Sequence, residues 1–179
     1  MSLLCATLGS HERTDCVELT GGVNALAILL SGWEAVITDP SNATQWNTAI
    51  SQGLARVIKD IKGDVPASAS VETANPSACG NENVYVGADW LLNMKDFNVG
   101  ATNDEFYVEL KRQRTFDLAY VTCDGELFII TGVNYSGSFQ IHTENNREFR
   151  RYEGMFKSYQ KLTSAGPIEY ELPTGIFSF

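Results

Sequence analysis

The 179 residues predict one mainly β domain with one or two short helices, and three observations carry that expectation. First, Asp124-Gly125 sits between two apolar runs, and Asp-Gly supplies the positive φ angles of a tight hairpin. Second, Val84, Val86, Trp90 and Leu92 fall on one parity, the alternation of a half-buried strand. Third, 44% of the chain is hydrophobic, with 9 Phe, 7 Tyr and 3 Trp, enough for one core without disulfides or metals.

The elements are taken in chain order. Residues 1–20 read as an N-terminal arm, apolar at Leu3, Leu4 and Leu8 and polar over 10–15, closed by Gly21-Gly22. Residues 23–30 and 33–38 flank Ser31-Gly32 and are expected to form a hairpin, although 25–30 also suits a helical turn. Asp39-Pro40-Ser41-Asn42 ends that unit and is placed to cap the next element. Ile50, Leu54, Val57, Ile58 and Ile61 then share one face of an amphipathic helix, with Lys59 and Lys62 in its last turn and Gly63 after it. Interior Gly53 and the Val and Ile content leave a strand as the alternative.

Residues 64–80, rich in Ala, Ser, Pro and Gly, predict a long loop with a short strand near Val71. A strand is expected over 83–94. Asn103-Asp104 looks like the N-cap of a helix that closes on Lys111, Arg112 and Arg114. Strands are then expected over 116–122 and 126–131 around Cys123-Asp124-Gly125, and again over 138–143 and 152–159. The β-rich domain so defined spans 21–165, and 166–179 reads as a C-terminal arm.

Charge narrows the function. A net charge of −9 argues against gripping nucleic acid, whose binding rests on clustered Lys and Arg, but allows DNA to pass without sticking. Cys5, Cys16, Cys79 and Cys123 show no metal-like pairing and read as free thiols, with a Cys5–Cys16 disulfide the alternative. The N-terminus lacks the pattern of a signal peptide, and residues 25–30, the longest apolar run, are far too few for a membrane helix, so a soluble, non-secreted protein is expected.

Catalytic signatures are not found. There is no nucleophile elbow, zinc-protease motif or phosphate loop; Cys79 and His142 could form a Cys–His pair in the fold, but nothing around Cys79 in the sequence would lower its pKa, so a structural role is the expectation for both. The segment from Asp96 to Gly100 imitates a calcium loop, but its glycine comes one position early and Tyr107 stands where the bidentate Glu belongs. No enzyme, no cofactor and no metal is therefore expected. Trp33, Trp46 and Trp90 admit a sugar-stacking platform, although tryptophans at such spacings are more often core or interface residues.

Assembly is the better expectation. Only 20% of residues are charged, and the chain ends on Leu172, Ile176, Phe177 and Phe179, apolar area that needs a cover, supplied either by a neighbouring subunit or by the chain's own domain. Arg147, Arg150 and Arg151, interspersed with Glu148 and Glu153, suit salt bridges between subunits.

The second half carries an ordered series: the helix over 103–114, the strand over 116–121, the Cys-Asp-Gly turn, the strand over 127–131, Gly132, Gly137, and a further strand pair entering Gly154. With Thr20-Gly21-Gly22-Val23-Asn24, this series over residues 16–165 resembles the tail tube (major tail) proteins of long-tailed bacteriophages. The resemblance implies a two-sheet β-sandwich or barrel with a flanking helix. It also implies a virion subunit, assembled in the host cytoplasm, whose homo-oligomeric rings stack into a tube around DNA as non-specific cargo, alongside other virion proteins and no membrane. Leu3, Leu4, Leu8, Leu172, Ile176, Phe177 and Phe179, with the 64–80 loop, would then lie at subunit contacts. The helical signal over 50–61 departs from the pattern and points instead to a head–tail connector or capsid-associated protein. A monomeric carbohydrate-binding module is the alternative of another class.

Overall fold

A computed structural model describes residues 22–66, 69–74, 83–113, 115–140, 151–161 and 166–177. Within them the elements are β1 (Gly22–Leu29), α1 (Ala43–Ser51), β2 (Ala55–Ile58), β3 (Ile61–Asp64), β4 (Ala69–Ala74), β5 (Asn83–Asp96), α2 (Ala101–Arg112), β6 (Phe116–Thr122), β7 (Leu127–Gln140), β8 (Arg151–Lys161) and β9 (Ile168–Tyr170). The mainly β expectation with two short helices holds. β1, β3, β5, β8, β7 and β6 pair in that order, and β6 returns to β1, closing a six-stranded barrel. β2 extends the β1 edge, β4 adds to β5, and β9 adds to β7.

Two cores flank the wall. Leu26 and Ile28 point inward with Trp90, Leu92, Leu118 and Phe156. Ala25, Ala27 and Leu29 point outward beneath Trp46 and Ala49 of α1. Because both faces of β1 are buried, its sequence is a continuous apolar run rather than an alternating one. That run pairs β6 on one edge and β2 and β3 on the other, so no edge remains for a hairpin strand over 33–38. The chain forms a 3-10 turn at Trp33–Ala35 instead, and the Trp33 indole N–H donates to Asp117 Oδ2 at 2.7 Å. Asp117 Oδ1 also accepts the N–H of Gly132 at 2.9 Å. Gly132, at φ 66°, sits in the bulge that lets β7 run unbroken through what the sequence divides into two strands.

The helix expected over 50–61 is not there. α1 begins earlier, with the Asn42 side chain accepting the Thr44 N–H at 3.0 Å, and stops at Gly53, φ 77°. Gly53 N–H bonds to Ile50 O and Leu54 N–H to Ala49 O, the paired C-terminal bonds that a left-handed residue permits. Gly53 is therefore the stop signal, and β2 and β3 come after it. They run in one direction along β1, broken by Lys59-Asp60 with Asp60 at φ 58°.

The strand expected near Val71 is β4. The 138–143 strand is the end of β7 as far as Gln140, and the 152–159 strand is β8. α2 starts two residues before the expected cap. Gly100 takes the N-cap position, and Asn103 reaches back to Asn98 O at 2.6 Å. The two ends of α2 join the last residue of β5 to the first of β6, which places the helix at one mouth of the barrel.

Candidate functional site

That mouth gathers the chain's most distinctive side chains. Tyr107 and Leu110, the buried residues of α2, pack into the barrel interior beside Tyr152 of β8 and against Tyr135 of β7. The Tyr107 and Tyr152 rings lie 4.3 Å apart at 34°, and Tyr135 lies 5.0 Å from Phe156. Asp96, at the end of β5, is 2% exposed. A carboxylate so buried needs donors. It has three: Tyr107 Oη at 2.7 Å, and the backbone N–H and Nδ2 of Asn98, each at 2.8 Å. The Tyr152 hydroxyl donates to Asp104 Oδ1 at 2.5 Å and accepts from Gly100 N–H at 3.3 Å, which caps the start of α2 in place of a polar cap residue.

Burial, then the Asp96 charge, pushes the phenols of Tyr107 and Tyr135 well above their ordinary value. Tyr152 is pushed up to about 12 by burial and its bond to Asp104, and Tyr120, inside the barrel, to about 12 by burial. None of these four phenols is poised for proton transfer near neutral pH. The network is a latch that fastens α2 to the barrel. It has an alkaline signature. Unfolded tyrosines release their protons near pH 10, while the native ones hold theirs to higher pH. Unfolding above pH 10 therefore releases protons, and the stability fully present below that pH is lost as the pH rises, by about 1.4 kcal/mol per pH unit for each such tyrosine. Urea midpoints should be flat from pH 7 to 9 and fall steeply above 10, and Tyr135→Phe should make the fall shallower. A wild-type midpoint unchanged to pH 11.5 would refute the latch.

A 290 Å³ cavity opens between α2 and the strands β7 and β8, lined by Tyr107, Val108, Lys111, Tyr135, Tyr152 and Asp104 among others. On the other side of Tyr107, a more polar 400 Å³ groove runs past Asp60, Asp96, Asn98 and Asn103. Among the described residues no group of three or more His, Cys, Asp or Glu is placed to hold a metal ion, and no helix is long and apolar enough to cross a membrane.

The residues expected at subunit contacts are scattered. Leu3, Leu4, Leu8, Arg147, Arg150 and Phe179 lie outside the described residues. Arg151 is half-buried on β8 and ion-paired with Glu153 of its own strand. Leu172 is exposed, but Ile176 and Phe177 are buried in the subunit's own outer core, Phe177 edge-on to Trp46 at 5.1 Å. They are not free surface, because α1 needs them as its cover. Trp33, Trp46 and Trp90 are all buried, so none presents a stacking face. The tyrosine cluster carries no spacing signal, because α2, β7 and β8 meet only in the fold. Its one trace is Tyr135 beside Gly137, with Gly154 opposite in the β7–β8 ladder, where the ring lies over both glycines. No protein-family model, no curated protein and no solved structure matches the chain.

Proposed function

We propose that the chain is a virion structural subunit that self-assembles into stacked rings, forming a tail tube through which DNA passes. The observation that carries this reading is the outer edge of β4, which among the described residues pairs with β5 alone. An open edge normally carries Lys, Pro or another device against pairing. β4 carries Glu72 as its single charge and no Lys, Arg or Pro. Such an edge is suited to being covered by a neighbouring subunit. The barrel with a flanking helix fits what the resemblance implies, and the net charge of −9 suits a passage that must not hold DNA.

The connector reading loses its motive, since the helical signal over 50–61 resolves into the end of α1, β2 and the start of β3. A glycan-binding module loses its platform with all three tryptophans buried. Light scattering on chromatographed protein, with negative-stain images of the same fractions, tests the proposal. Rings or tubes are expected. A well-folded monomer at millimolar concentration would overturn it.

A further inference from the structure

The cavity between α2 and the strands β7 and β8 has apolar walls and a charged rim. The rings of Tyr107, Tyr135 and Tyr152 line it, Val108 stands at its lip at 51% exposure, and Lys111 follows about one turn further along α2. An apolar hollow edged by a few polar groups has the make-up of a small-molecule site. At 290 Å³ it falls at the lower end for such sites, roughly 300–1,000 Å³. Filled at protein packing density, that space holds roughly ten non-hydrogen atoms. A matching ligand is therefore small, with an apolar body.

The polar groups of the wall decide its head group. Two hydroxyls are already committed, Tyr107 to Asp96 and Tyr152 to Asp104. Two groups are not. Among the described residues Lys111 makes no ion pair and the Tyr135 hydroxyl makes no hydrogen bond. Both have a proton to give, since an ammonium only donates and burial keeps the Tyr135 phenol protonated. Unengaged donors call for an acceptor, and the ammonium calls for a negative one. Asp104, the carboxylate in the same wall, stands two helical turns from Lys111, roughly 10 Å along the axis. That is about one Debye length at physiological salt, so an anion paired with Lys111 is largely screened from it. Asp96, on the other side of Tyr107, has its charge met by three donors.

We infer that this cavity binds a small monocarboxylate with an apolar body. The carboxylate pairs with the Lys111 ammonium, and the body lies against Val108 and the rings of Tyr107, Tyr135 and Tyr152. The site belongs to a single subunit, so it stands or falls apart from the tail-tube reading.

Octanoate, about that size, is the probe. It is titrated into the full-length protein by calorimetry, with octan-1-ol and octyltrimethylammonium as neutral and cationic counterparts. A dissociation constant of roughly 0.1–1 mM is expected for a ligand this small, with weaker binding of the cation. Octanoate should shift the NMR signals of the Val108 methyls and the Gly137 amide in step with the calorimetric titration. Lys111→Met keeps the apolar stem and removes the charge. It should weaken octanoate about fivefold, the worth of one solvent-facing charge pair, and leave octan-1-ol unchanged. Val108→Asp, at the exposed lip, should weaken both. Circular dichroism and melting curves matching wild type show that the variants fold, and the comparison of three probes on wild type needs no variant at all. Neither heat nor shifts at tenfold the expected constant overturn the site. Shifts confined to residues outside the cavity overturn its location. Octanoate binding unchanged in Lys111→Met overturns the head group, and tighter binding of the cation does so in favour of Asp104.

Discussion

Truncation before Leu172 is expected to unfold the domain, where a detachable arm would only loosen an assembly. Phe177 is 2% exposed and Ile176 6% exposed, and both sit in the outer core with Trp46, Ala49 and the outward face of β1. Trp46 is fully buried, with its indole N–H bonded to Pro40 O at 2.7 Å, and it loses its edge-on ring partner when Phe177 goes. A buried Phe cut to Ala costs about 3–5 kcal/mol. Domains of this kind are stable by about 5–15 kcal/mol in total, so Phe177→Ala alone removes a large fraction, and losing Ile176 as well leaves little. Urea unfolding checks this, with a midpoint for Phe177→Ala far below wild type at an unchanged slope. A truncated chain that melts like wild type would show that the segment is an arm after all. The distinction matters for assembly, because a truncated subunit that fails to make rings proves nothing about contacts until its melt is known.

The same residues show what the sequence can reveal. Signals confined to a few neighbouring residues are legible: the Asp124-Gly125 hairpin, the Asn42 cap and, in β5, the alternate burial of Trp90, Leu92 and Met94 are all present. The spacing from Ile50 to Ile61 misleads because it spans three elements. Ile50, Leu54 and Val57 pack against the outer core, Ile58 and Ile61 against the barrel interior, and the two-residue break at Lys59-Asp60 leaves Ile58 and Ile61 three apart, a helical interval by accident. Gly53 holds the correction, since a glycine inside a proposed helix is as good a stop as a flaw. The apolar C-terminus stays ambiguous in the sequence because sequence tells that a side chain needs cover, not which surface supplies it. Likewise nothing near Asp96 announces burial, and its donor Tyr107 arrives from a helix whose partner strands come later in the chain.

Gly87→Ala is expected to be among the most damaging single-methyl additions available. Gly87 lies beside the bulge in the β4–β5 ladder, where Val71 pairs with Gly87 but Glu72 pairs with Tyr85. A Cβ built on it would lie 2.3 Å from the backbone oxygen of Gln160 in β8. That oxygen belongs to the paired strand and cannot swing aside, so the β5–β8 ladder must shift. Overpacking of this kind costs about 1–3 kcal/mol and occasionally more, and the upper end is expected here. Gly154→Ala makes the useful contrast. Its Cβ would also come within 2.3 Å of a neighbour, but the neighbour is the Tyr135 ring. Side chains can be trimmed, so Tyr135→Ala should recover part of the loss at Gly154, with a coupling of about 1 kcal/mol in a double-mutant cycle. Trimming Tyr159, whose hydroxyl also stands near Gly87, should recover almost nothing, because the backbone contact remains. Full rescue of Gly87→Ala by Tyr159→Ala would mean that the side chain, not the strand, sets the limit there. The two strands would then have room to part at Gly87, and the close backbone approach of β5 to β8 would not be what requires a glycine.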